Sequence, residues 1–129
     1  MNVLGKHAIA NLTNCTFKEI DNVLEIENVL KKSAEEAGLH IVDVKFHKFE
    51  PIGISGMVVL EESHIAIHTW PEYKFVAVDA FTCGKEMNPE YVCKLIAKKL
   101  DAKIEKIETL YRGIEEAWNE RIYYWFSNN

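Results

Sequence analysis

The chain has 129 residues, 48% apolar and 27% charged, with a formal net charge of −5. That length fits a single domain, 1–129, with a sizeable core. The acidic balance speaks against a nucleic-acid partner, because phosphate binding needs a basic face.

The N-terminal MNVLGKHAIANL lacks the basic start and apolar run of a signal peptide, and no apolar stretch is long enough to cross a bilayer. No membrane association is expected. Cys15, Cys83 and Cys93 are odd in number and have no CxxC spacing. A reducing, cytoplasmic setting fits them better than a disulfide framework or a zinc cage.

In chain order, His7 to Leu12 alternates and predicts a strand, with Ala8, Ala10 and Leu12 on one face. Asp21 is the expected cap of a helix running to about Ala37, stopped by Gly38. Its apolar stripe is Val23, Ile26, Leu30, Ala34 and Ala37. His40 to Phe49 predicts a second strand, with Val42, Val44 and Phe46 on one face and Asp43, Lys45, His47 and Phe49 on the other. After Pro51 and Gly53, Met57 to Leu60 is apolar on both faces, as in a strand buried on both sides.

His64 to Thr69 predicts the fourth strand, closed by Pro71, and Phe75 to Thr82 the fifth, closed by Gly84. Asn88-Pro89 reads as a cap and first-turn proline of a helix that buries Val92, Leu95 and Ile96 and ends near Leu100. Lys103 to Tyr111 is a weaker last strand. Ile114, Trp118, Ile122 and Trp125 fall at helical spacing in the tail. The order predicts an α+β two-layer sandwich, with a mostly antiparallel sheet and both helices on one face. The other face carries apolar residues too, and a second copy of the sheet in a homodimer is the simplest cover for it.

Chemistry concentrates between Gly53 and Gly84. Ser55, Glu62, Ser63, His64, His68, Glu72, Asp79 and Cys83 lie there on strands and their ends. No metal site is expected. On a strand rising about 3.3 Å per residue, His64 and His68 stand roughly 13 Å apart, too far to share a zinc with bonds near 2.1 Å.

The motifs GISG (53–56), ESH (62–64), HTWPE (68–72) and FTCG (81–84), with looser likeness at LGKH and FHKF, occur in order. In these the chain resembles the prokaryotic-type, pyruvoyl-dependent S-adenosylmethionine decarboxylase proenzymes. The resemblance extends to Arg112 and leaves the tail unmatched. It implies self-cleavage between Glu62 and Ser63 into 1–62 (a beta chain) and 63–129 (an alpha chain), with Ser63 converted to a pyruvoyl group. That group would form a Schiff base with the substrate amine, so neither pyridoxal phosphate nor a metal is implied.

The resemblance assigns Cys83 as proton donor in decarboxylation, His68 as base in processing and Ser55 as its assisting hydroxyl. It also assigns Glu72 to the ribose hydroxyls and Phe49 to adenine stacking; Trp70, close by in the sequence, is a further candidate for that pocket. The implied reaction releases carbon dioxide and gives the aminopropyl donor for spermidine. Arginine or ornithine as substrate, and a cleavage-dead binding or regulatory subunit, are the alternatives.

Ser63 and His68 are five residues apart on an alternating strand. At about 3.3 Å per residue their α-carbons stand roughly 16 Å apart and their side chains on opposite faces, whereas a base must come within about 3 Å of its proton. The expected solution is a homodimer, two alpha and two beta chains after cleavage. Each site would combine Ser63 and Cys83 of one protomer with Ser55, His68, Phe49 and Glu72 of the other.

Overall fold

A computed structural model describes residues 3–83, 87–114, 125 and 127–128. The elements run β1 (Val3–Thr13), α1 (Val23–Glu36), β2 (Ile41–Lys48), β3 (Ile54–Leu60) and β4 (Ser63–Trp70). A 3-10 turn at Pro71–Tyr73 leads to β5 (Phe75–Cys83), α2 (Pro89–Lys99) and β6 (Lys103–Ile114). The strands form one sheet in the order β2-β3-β4-β5-β1-β6, with every neighbouring pair antiparallel. Strands β2 to β5 are joined in sequence by short turns, while α1 and α2 carry the two longer crossings.

Period-two alternation turns one side chain in two toward the helices. Ala8, Ala10 and Leu12 of β1, Ile54, Val58 and Leu60 of β3, Ile65 and Ile67 of β4, and Val76, Val78 and Ala80 of β5 make the sheet's share of the core. Ile26, Leu30 and Ala34 of α1 and Val92, Cys93 and Ile96 of α2 close over them. Among the described residues no helix is long and apolar enough to cross a membrane. Burial raises the Cys15 thiol pKa and pushes that of Cys93 up to about 12, so both are packing residues.

Several expectations are corrected. Asn22, not Asp21, caps α1: its side-chain oxygen accepts from the backbone N–H groups of Leu24 and Glu25. Asp21 instead accepts from Gly53 N–H at 2.8 Å and pairs with Lys48 at 3.0 Å, tying the start of α1 to the loop after β2. Gly38 does take the left-handed turn, at φ 77°. In β2 a bulge between Ile41 and Asp43 leaves Val42 exposed, while Ile41 packs on the core with Val44 and Phe46.

Strand β3 starts three residues before Met57, at Ile54, and is not buried on both sides: Met57 is 41% and Val59 37% exposed. In α2 Leu95 is only partly buried, and Cys93 and Ala97 take inner positions instead. Ile114 ends β6 rather than starting a tail helix. Gly84, and the tail positions Trp118 and Ile122, lie outside the described residues.

The GISG motif has a packing reason at its second glycine. A Cβ on Gly56 would come within 2.0 Å of Cδ2 and 2.1 Å of Cε2 of Phe46, its cross-strand partner. Gly56→Ala forces that ring to move, and overpacking of this kind costs about 1–3 kcal/mol. Denaturant unfolding should show a lower midpoint for Gly56→Ala at unchanged slope. An unchanged midpoint would mean that Phe46 repacks freely.

Candidate active site

The β3–β4 connection is a two-residue hairpin, Glu61-Glu62, between the paired residues Leu60 and Ser63. Such tight turns favour Gly or Asn, which accept positive φ, and this one has neither. The irregular backbone falls on the next residue, Ser63, at φ 150°. A non-glycine residue in such a region carries strain of about 1–3 kcal/mol and persists only where its surroundings hold it.

Cys83 and His40 hold Glu62 through three hydrogen bonds. The Glu62 carbonyl accepts from the Cys83 backbone N–H at 2.8 Å. The Glu62 carboxylate accepts from the His40 backbone N–H at 3.0 Å and meets His40 Nδ1 at 2.8 Å. That hydrogen bond lowers the Glu62 pKa and raises that of His40. The contact is therefore fully formed below the raised His40 pKa and above the lowered Glu62 pKa.

The Ser63 side is held through its neighbour. His64 Nε2 lies 3.2 Å from Asp79 Oδ2, and His7 Nε2 lies 2.8 Å from the same oxygen. Arg112 donates toward His7 Nδ1 at 3.3 Å, so that nitrogen is an acceptor and His7 presents Nε2–H to Asp79. Phe81 stacks on the His64 ring and meets His7 edge-on. These three donor atoms are near enough to share a cation, but hydrogen bonds already engage each of them. Sequence reading passed over His7 and Asp79 as a pair because 72 residues separate them; only the pairing of β1 with β5 joins them.

A second group lies five residues along β4. Ser55 and His68 are directly paired, and Ser55 Oγ is 2.8 Å from His68 Nδ1. A surface cavity of ≈ 340 Å³ is lined by Lys45, His47, Ser55, Met57, Ala66 and His68. Phe49 is exposed just beyond β2, with the His47 ring against it at 4.6 Å. Trp70, also exposed, ends β4 beside His68, and Glu72 is exposed in the 3-10 turn that follows.

Asp21 anchors this end too. Lys48, its ion-pair partner, donates to the Phe49 carbonyl at 2.7 Å. The candidate residues thus fall into two groups within one chain. Glu62, Ser63 and Cys83 sit at one end of β4, and Ser55, His68, Phe49, Trp70 and Glu72 at the other.

Comparisons with known proteins agree with this arrangement of motifs. Residues 6–113 match the family described as S-adenosylmethionine decarboxylase. The S-adenosylmethionine decarboxylase proenzyme of Thermoanaerobacter pseudethanolicus is 47% identical over 116 residues, 90% of this chain and 94% of that protein. That of Moorella thermoacetica is 43% identical over 116 residues, 90% and 93% of the two chains. The crystal structure of the adenosylmethionine decarboxylase from Aquifex aeolicus superposes with a TM-score of 0.80 at 33% identity, covering 88% of this chain and 94% of that one. A match spanning all of the motif-bearing strands and both helices places the chain in the S-adenosylmethionine decarboxylase family.

Proposed function

We propose that this chain is a self-processing precursor, cut between Glu62 and Ser63, whose product decarboxylates S-adenosylmethionine. Membership of the family carries the reaction. The observation that carries the cleavage site is the Cys83 N–H on the Glu62 carbonyl at 2.8 Å, beside a serine held at φ 150°. A backbone donor on that oxygen withdraws electron density from the carbonyl carbon. It stays in place as the oxygen gains charge under attack, as in an oxyanion hole. Ser63 Oγ attacks that carbon, and the peptide becomes an ester. Removal of the Ser63 α-proton then expels the Glu62 carboxylate, and hydrolytic loss of ammonia completes the change.

The residues at this end fit a pyruvoyl group formed from Ser63. The serine supplies the β-oxygen that attacks and departs, and the exposed Cys83 thiol sits on the adjacent strand. When formed, the group serves as the electron sink for loss of carbon dioxide. Cys83 supplies the proton that replaces the lost carboxylate. In the tautomer whose Nδ1–H donates to Ser55, His68 leaves Nε2 free as the base. Phe49 and Trp70 offer flat faces to adenine and the sulfonium. Glu72 offers two acceptor oxygens to a diol.

Ser55 and His68 serve Ser63 of a second copy. His68 is fastened to Ser55, five residues along β4 from Ser63, which at about 3.3 Å per residue is roughly 16 Å. The helix-free face of the sheet exposes Ile9, Met57 and Val59 together with the Ser55–His68 pair, and a partner seated there covers apolar surface while completing two equal sites.

Intact-mass measurement should find fragments 1–62 and 63–129, the second blocked at its N-terminus. Ser63→Ala should stay whole, and Cys83→Ala should cut yet decarboxylate at least tenfold more slowly. A wild-type chain that remains uncut under all conditions rules out the processing reading. Carbon dioxide release should be seen from S-adenosylmethionine and not from arginine or ornithine. Mixing Ser63→Ala with His68→Ala precursors under exchange conditions should produce cleavage in the His68→Ala chain. Proven exchange without cleavage would place each site within one protomer.

A further inference from the structure

At the end of β5 one donor engages the hairpin, and a second, one residue earlier, is unpaired among the described residues. Cys83 N–H holds the Glu62 carbonyl. One residue earlier Thr82 is 0% exposed, and its Oγ1 has no hydrogen-bond partner among the described residues. An unpaired buried hydroxyl costs free energy, so its retention calls for a reason. Thr82 is the cross-strand partner of Ser63. Opposed residues of a regular antiparallel pair have Cβ atoms about 4.5–5.5 Å apart, so the idle hydroxyl lies across the ladder from Ser63.

We propose that the Thr82 hydroxyl is a donor reserved for Ser63 Oγ as it departs during self-cleavage; this rests on the processing reading above. In the ester, Oγ joins Ser63 Cβ to the Glu62 acyl carbon. When a base removes the Ser63 α-proton, the Cα–Cβ double bond forms and the Cβ–Oγ bond breaks. Oγ leaves as an oxygen of the Glu62 carboxylate. It changes from a weak ester acceptor into a charged one. A donor facing it, unpaired in the resting chain, gains most in the transition state, and that difference is what accelerates a step.

Ser33 is the other buried hydroxyl without a partner among the described residues. It lies in α1, on a different element from the hairpin, and serves as the control.

Thr82→Val keeps the shape and removes the donor. Cleavage, followed by intact mass, should slow about 100-fold, in the range seen when a single oxyanion donor is deleted. The ester should accumulate, and hydroxylamine should cut it to give a second fragment that begins with serine rather than pyruvoyl. Thr82→Ser should restore most of the rate.

In a Ser63→Ala background, where nothing cleaves, Thr82→Val should leave the thermal midpoint unchanged or raised. Ser33→Ala should do the same to the midpoint while cleaving at the wild-type rate. Cleavage of Thr82→Val within threefold of wild type overturns the proposal. So does slow cleavage with a lowered midpoint and no trapped ester. If Thr82→Val fails to fold, Thr82→Ala decides by the same readouts. A wild-type chain that never cuts overturns the processing reading and this inference with it.

Discussion

The constraint on which the rest depends is the backbone of one tight hairpin. Leu60 and Ser63 are paired, so Glu61 and Glu62 must reverse the chain between them without a glycine or asparagine. The strain passes to Ser63, and both flanks are anchored to keep it there. Glu62 is held by His40 from the start of β2 and by Cys83 N–H from the end of β5. His64 is held by Asp79 and, through it, by His7. The Glu62-Ser63 peptide is thus bent, polarised and fixed on either side.

The sheet explains why the same strand carries both halves of the proposed machinery and yet keeps them apart. β4 lies near the middle of the sheet and is clamped by ladders on both edges, so it cannot bend to bring His68 to Ser63. What rigidity denies within one protomer, the proposed second copy would supply. Burial agrees with that reading. The helices close one face into a continuous core, whereas the opposite face keeps Met57 and Val59 in solvent although the strand composition suits burial.

Asp21 shows how a local signal is overridden. As a carboxylate ahead of an amphipathic helix it reads as a cap, but Asn22 is one residue nearer and takes that place. Asp21 is thereby free to bind Gly53 N–H and Lys48, and Lys48 holds the Phe49 carbonyl. A residue read as helix punctuation thus fixes the loop that presents Phe49.

From the sequence by itself came the element order, the two-layer class, the shared face of Ala8, Ala10 and Leu12 in β1, and the run of candidate residues Ser55, Glu62, Ser63, His68, Glu72 and Cys83. All of these rest on short-range regularities: periods of 2 and 3.6, turn residues at fixed offsets, and motifs whose members lie close along the chain. Only the tertiary structure decided the bulge that exposes Val42, the pairing of His7 with Asp79, the Cys83 N–H on the Glu62 carbonyl and the unpaired hydroxyl of Thr82 across the ladder from Ser63. Each of these depends on strand register, which is set by how the whole sheet packs its apolar face, and no window of local sequence contains that information.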